Sequence, residues 1–188
     1  MIWGIITARK GSIRLKNKNV KKFINKPLIE YTYIATENSD LDKVILSTDC
    51  EKSIDISKKY NHIEVPFIRP DHLSSSETKS IDVLKHCVIH YKNKNIELPE
   101  YIFILQPTTP QRTRENINYI CEYVKKNKPK GLTTWTKDRI DYENGLAFII
   151  KTDVILNESP IENHDKYKAS SFPYTGFPNK RSEEHTSE

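Results

Sequence analysis

Short apolar runs alternate with amphipathic segments along the whole chain, and this alternation restricts the fold more than any other feature. Ile2–Ile6 reads as a buried strand, and Val44–Leu46 as a second that ends in Ser47, Thr48 and Asp49. Ile63–Ile68 is a short extended piece stopped by Pro70, and Tyr101–Leu105 is almost wholly apolar. That last pattern suits a central parallel strand covered on both faces. Leu132–Trp135 and Leu146–Ile150 are the remaining strand candidates. Between them lie helix-period segments. Pro27 fits a first turn, with Leu28, Tyr31, Ile34 and Ala35 expected on the core face. A second helix is expected at 51–60. A Ser-rich turn at 74–76 introduces a third, Lys79–Tyr91, facing the core with Ile81, Leu84, Val88 and Tyr91. Thr113 can cap a fourth at 114–126. The pattern predicts an α/β fold with a mostly parallel sheet and ligands at the carboxyl ends of its strands.

The 188 residues suffice for one buried domain, and two would be cramped. No apolar stretch reaches the roughly 18–20 residues of a membrane span, and Arg9 and Lys10 interrupt the first run too early for a signal peptide. Three widely spaced cysteines (Cys50, Cys87, Cys121) argue against a disulfide framework or a zinc ribbon and suit a reducing cytoplasm.

Charge supplies the first functional clue. The chain has 30 Lys and Arg against 25 Asp and Glu, a net charge of +5. Residues 1–29 hold eight of those cations and no acid, so the remainder is at −3. A cluster just after a hydrophobic strand points to a phosphate-binding loop, whereas a nucleic-acid-binding module would need a broad basic face. The five glycines cannot form G-x-G-x-x-G, and none precedes Lys-Ser/Thr, so the ordinary dinucleotide and P-loop signatures are absent.

After the first strand stands Ala8-Arg9-Lys10-Gly11-Ser12-Ile13-Arg14-Leu15-Lys16-Asn17-Lys18-Asn19. This loop resembles the nucleotide-binding signature of the acylneuraminate (CMP-sialic acid synthetase) cytidylyltransferase family, roughly I-P-A-R-G-G-S-K-R-I-P-x-K-N. Thr7, Lys10, Ile13 and Lys16 depart from it. The resemblance continues in order through Lys26-Pro27-Leu28-Ile29, Lys43–Asp49, Val65–Pro70, Ser80–Val83, Leu105–Arg112 and Asn144-Gly145. It implies a Rossmann-like nucleotide-diphospho-sugar transferase fold over 1–156 and transfer of CMP from CTP to an acidic keto-sugar such as N-acylneuraminate. Legionaminic, pseudaminic and 3-deoxy-octulosonic acids are alternative acceptors.

By resemblance, Arg9 and Lys18 take the phosphates, Ser12 and Asn19 shape the nucleotide pocket, and Arg69 lies beside the cytidine. Gln106 and Thr108 face sugar and nucleotide, and Asn144 flanks the sugar pocket. Each has a plainer reading: Arg9 in a surface ion pair, Lys18 as one solvated charge among many, Gln106 satisfying a buried turn. Lys10, Lys16, Lys21 and Lys22 are read as solvated. Asp49 and Asp82 fit either ribose contacts or turn caps. His86 and His90, four apart, form an ordinary helix face because no third metal ligand is in view.

Two departures matter. Only 31 residues (113–143) separate Arg112 from Asn144, where the family has a long excursion that contributes to its dimer interface. A homodimer is therefore doubtful here. The paired aspartates that hold Mg²⁺ in the family do not follow Asn144 either. Residues 157–180 read as a remnant of the C-terminal part. Arg181–Glu188 matches the translation of a widely used sequencing-adapter oligonucleotide, so the native frame is expected to stop near Lys180, with little turnover by the chain as given. A non-catalytic nucleotide-binding regulator and a nucleic-acid-binding protein are the remaining alternatives.

Overall fold

The computed structural model describes residues 1–12, 15–136, 139–157 and 171–172, and the side chains of these apart from 135–136, 139–146 and 171–172. In chain order the elements are β1 (Ile2–Ala8), β2 (Lys22–Phe23), β3 (Lys26–Pro27), α1 (Leu28–Thr36), β4 (Lys43–Thr48), α2 (Glu51–Ser57) and β5 (Ile63–Glu64). There follow α3 (Ser80–Lys92), β6 (Tyr101–Leu105), α4 (Arg114–Asn127), β7 (Gly131–Thr136), β8 (Arg139–Lys151), α5 (Thr152–Asn157) and β9 (Ser171–Phe172).

The main sheet runs β5-β4-β1-β6-β8-β7-β9, with β2 and β3 forming a separate hairpin. Strands β5, β4, β1 and β6 are parallel, while β8 pairs antiparallel with both β6 and β7. The chain leaves β1 for β4 and β5 on one side, then returns to place β6 on the other. The carboxyl ends of β1 and β6 thus flank a topological switch point, where open α/β sheets form a crevice.

Period-two alternation sorts the strand side chains between two cores. Ile2, Ile6, Val44, Leu46, Tyr101, Phe103 and Leu105 pack with α1 and α4, whereas Trp3, Ile5, Ile45 and Ile102 pack with α3 and α5. Gly4 permits this closeness, since a Cβ there would lie 2.7 Å from Leu105 and 2.8 Å from Leu41. Helix α4 begins with a capping box between Thr113 and Asn116 and turns Ile117, Ile120, Cys121 and Val124 inward. Helix α3 buries Leu84, Val88 and Tyr91 as expected, with Ile81 partly buried against the same core.

The core face of α1 differs from expectation. Ile29, Tyr33 and Thr36 point inward, Ala35 is buried beside them, and Ile34 is 40% exposed. Tyr33 donates to the Ser53 carbonyl from inside the core, while Tyr31 donates to the hairpin at Phe23 O and Asn25 Oδ1. Buried Glu30, Thr32 and Thr36 blur the apolar stripe, so the pattern alone places the face too far round the helix. The last sheet segment also departs from expectation, because β8 extends well beyond Leu146–Ile150 at its amino end. Asp40 and Asp42 act in a turn: Asp42 Oδ2 accepts from Ile2 N, and Asp40 N donates to Asn118 Oδ1.

Candidate active site

Three strand ends build the site. Beyond β1, the basic loop is lashed to the end of β4: Thr48 Oγ1 donates to Ala8 O, and Lys10 N donates to Asp49 Oδ1 at 2.7 Å. Asp49 is therefore engaged in a loop contact. Asn19 closes the loop by donating from Nδ2 to Arg9 O at 3.2 Å, just after Asn17 turns the chain at φ 57°. A Cβ at Gly11 would meet nothing within 4 Å, so the backbone there is open to close approach.

Beyond β4 and β5, Arg69 is 4% exposed and held rigidly. Its Nε donates to Ser47 Oγ at 3.1 Å, its Nη2 to Ser47 O, and its backbone N to Thr48 O at 2.8 Å. Burial holds this guanidinium below its ordinary pKa, and Arg9 adds to the lowering. Beyond β6, the chain turns tightly at Gln106, whose carbonyl accepts from Thr109 N and from Arg112 Nη1. Arg112 is 3% exposed, and burial pulls its pKa down to about 10, so it remains a cation near neutrality.

These loops enclose a cleft of about 230 Å³. Arg9, Ser12, Lys18, Asn19, Arg69, Gln106 and Thr108 all line it, brought together from positions up to 99 residues apart in the chain. Asn144 belongs to β8, and its side chain lies outside the described residues, as do Ile13, Arg14 and the segment 173–188. The opposite wall comes from Leu73, Ser75, Ser76, Thr78, Ser80 and Val83. Ser80 and Val83 fall in the Ser80–Val83 motif, but Leu73, Ser75, Ser76 and Thr78 carry no sequence signal beyond a Ser-rich turn before a helix. Cationic and hydroxylic groups thus surround a crevice at the switch point, a combination suited to a polyanion held by neutral and charged donors.

His86 and His90 lie elsewhere, with ring edges against Phe67 at centroid distances of 4.5 and 4.9 Å. Among the described residues no group of three or more His, Cys, Asp or Glu side chains is placed to hold a metal. Among them, too, no helix is long and apolar enough to cross a membrane.

A model of the cytidylyltransferase family matches residues 3–175. The chain belongs to that family. A pseudaminic acid cytidylyltransferase of Campylobacter jejuni is 29% identical over 168 residues, covering 89% of this chain and 69% of the relative. An N-acylneuraminate cytidylyltransferase of Escherichia coli is 36% identical over 117 residues, covering 62% of this cytidylyltransferase but only 26% of that longer protein. A solved CMP:2-keto-3-deoxy-manno-octonic acid synthetase complexed with CTP superimposes with a TM-score of 0.66 at 14% identity, covering 89% of this chain and 80% of the other. At that identity the likeness bears on the fold alone, which is the Rossmann-like α/β arrangement of this cytidylyltransferase.

Proposed function

We propose that this cytidylyltransferase binds CTP in the cleft and transfers CMP to an acidic keto-sugar such as N-acylneuraminate. A sugar hydroxyl oxygen attacks the α-phosphorus, the bond to the bridging oxygen breaks, pyrophosphate leaves and the hydroxyl proton passes to solvent. The observation that carries this reading is the convergence of the basic loop, Arg69 and the Gln106–Thr108 turn on one crevice. A triphosphate brings about four negative charges, which a cationic loop with open backbone N–H groups can receive. Arg9 and Lys18 neutralise the phosphates, and Ser12 and Asn19 shape the nucleotide pocket. Arg69 serves as a fixed positive wall beside the cytidine. Gln106 and Thr108 stand where the sugar approaches, with Asn144 flanking. Catalysis of this kind rests on positioning and charge neutralisation, without a protein nucleophile.

Mg²⁺ is the metal expected with such a triphosphate. The described residues do not fit a protein-held ion, since no carboxylate among them lines the cleft. The setting we propose is the cytoplasm, consistent with three free, buried cysteines.

A second acceptor, pseudaminic acid, is favoured by the longer match, which covers 89% of this chain against 62% for the neuraminate relative. Calorimetry with CTP, followed by pyrophosphate release across a panel of acidic nine-carbon sugars, tests both. Failure to bind CTP under any condition overturns the reading, and the sugar giving the fastest release decides the acceptor.

A further inference from the structure

The β2–β3 hairpin presents apolar side chains to solvent. Phe23 pairs with Lys26 across two short strands, which leaves Ile24 and Asn25 as the turn. Ile24 is 79% exposed and Phe23 45% exposed. Ile24 also has a φ of 56°, a conformation that glycine or asparagine adopts with less strain than a β-branched residue. Strain retained at so exposed a side chain does not serve packing, and residues held this way cluster at functional sites.

The tip is held out by local contacts. Tyr31 Oη lies 2.9 Å from Phe23 O and 3.0 Å from Asn25 Oδ1, and the Phe23 and Tyr31 rings meet edge to face at 5.8 Å. At the base of the hairpin Leu28 N donates to Lys21 O at 3.0 Å. The surroundings are cationic. Lys21, Lys22 and Lys26 stand no more than three residues from Ile24, and Lys21 and Lys22 are exposed. Glu30, the first acid in the chain, is buried and accepts from Tyr60 Oη at 2.8 Å, so it does not neutralise them. None of residues 20–27 lines the cleft, and the hairpin and the cleft can therefore be engaged together.

Charge decides what the tip fits. Two copies of the chain meeting through it would oppose like charges, which disfavours self-association. A convex apolar tip with a basic collar instead matches the interface of an anionic bilayer, where apolar side chains enter at headgroup level and lysines meet lipid phosphates. Either signal alone gives weak attachment, and the hairpin supplies both. We propose that the β2–β3 hairpin docks this chain reversibly on an anionic lipid surface, with Phe23 and Ile24 inserted and Lys21, Lys22 and Lys26 at the phosphates. This docking does not depend on which nucleotide the cleft binds.

Flotation of the full chain with vesicles of phosphatidylcholine alone, and of an equimolar mixture with phosphatidylglycerol, tests the assignment. Binding to the mixed vesicles is expected to be about a hundred-fold tighter, the product of about five-fold for each of three lysines. Lys21→Gln and Lys22→Gln should each lower it by about five-fold. Ile24→Asn keeps a residue suited to the left-handed backbone, so it should weaken binding by about ten-fold without lowering the melting temperature. Phe23→Trp adds a second readout, since its fluorescence should shift to the blue on the mixed vesicles as the ring leaves water. No binding to the mixed vesicles, or binding that Ile24→Asn leaves unchanged, overturns the proposal. Should the vesicles fail while polyglutamate, or the chain itself, binds with the same dependence on Ile24, the tip is a protein-docking surface and the lipid assignment is overturned.

Discussion

Arg9 and Ile24 show how single residues serve different ends. Arg9 leaves β1 half-buried at the cleft, with its own carbonyl held by Asn19, so its position is fixed by backbone rather than by an acidic partner. Arg9→Ala is expected to lower CTP affinity by about 10- to 100-fold, the worth of hydrogen bonds to a charged group. Arg9→Lys should recover only part, because an ammonium cannot reproduce a two-pronged guanidinium contact. Unchanged affinity by calorimetry would remove Arg9 from the site. Ile24 sits at the tip of the β2–β3 hairpin, 79% exposed and at φ 56°. A β-branched residue in the left-handed region pays about 1–2 kcal/mol, and glycine avoids that penalty at some cost in chain entropy. Ile24→Gly should therefore stabilise the fold by about 1 kcal/mol, read as a higher denaturant midpoint with an unchanged slope.

At the scale of elements, the parallel half of the molecule was legible because its strands are short, apolar and punctuated. Ile2–Ile6, Val44–Leu46 and Tyr101–Leu105 all fall inside observed strands. The hairpin was not legible, because Ile24 occupies a turn position that ordinarily calls for glycine or asparagine. Nor was the hydroxyl wall, since Ser75, Ser76 and Thr78 acquire meaning only when Arg69 and α3 fold them opposite the basic loop. The ordered motifs carried most of the cleft-lining residues, but the inward face of α1 depended on buried polar contacts that no apolar count registers. Element packing also sets a pH response. His62 reaches Thr36 Oγ1 at 3.0 Å, tying the start of β5 to the end of α1, while His86 and His90 clasp Phe67. Burial holds all three imidazoles below the ordinary histidine value of 6.5. Around them lie Glu37 for His62; His90, His72 and Arg69 for His86; and Lys94 and Glu64 for His90. Below 6.5 the unfolded chain binds protons that the native state refuses, so these groups contribute stability that is present above that pH and lost as pH falls through their lowered folded values. The melting temperature should hold steady above about pH 6.5 and decline below it. His86→Gln should flatten that decline, and an unaltered profile would detach the histidine from acid sensitivity.

For the whole molecule, the question is which polyanion the asymmetric charge serves. Residues 1–29 hold eight cations and no acid while the rest of the chain is net acidic, and Arg9 and Lys18 of that set line the cleft. A ligand that binds only the folded chain stabilises it by mass action, about 2.7 kcal/mol at one hundred times its dissociation constant. At about 2–4 °C per kcal/mol for a chain of this size, CTP at that concentration should raise the melting temperature by roughly 5–10 °C. Because Arg69 on the cleft wall is buried, part of that shift should survive added salt. An oligonucleotide bound through counterion release behaves differently, losing about 10³–10⁵ in affinity between 50 and 200 mM salt when it makes six to ten phosphate contacts. Melting curves with CTP and with a single-stranded oligonucleotide, each at those two salt concentrations, therefore separate the two. A salt-tolerant shift with CTP alone is the expected result. A shift produced by the oligonucleotide and abolished by salt, with none from CTP, would transfer the basic loop from a nucleotide site to a nucleic-acid surface.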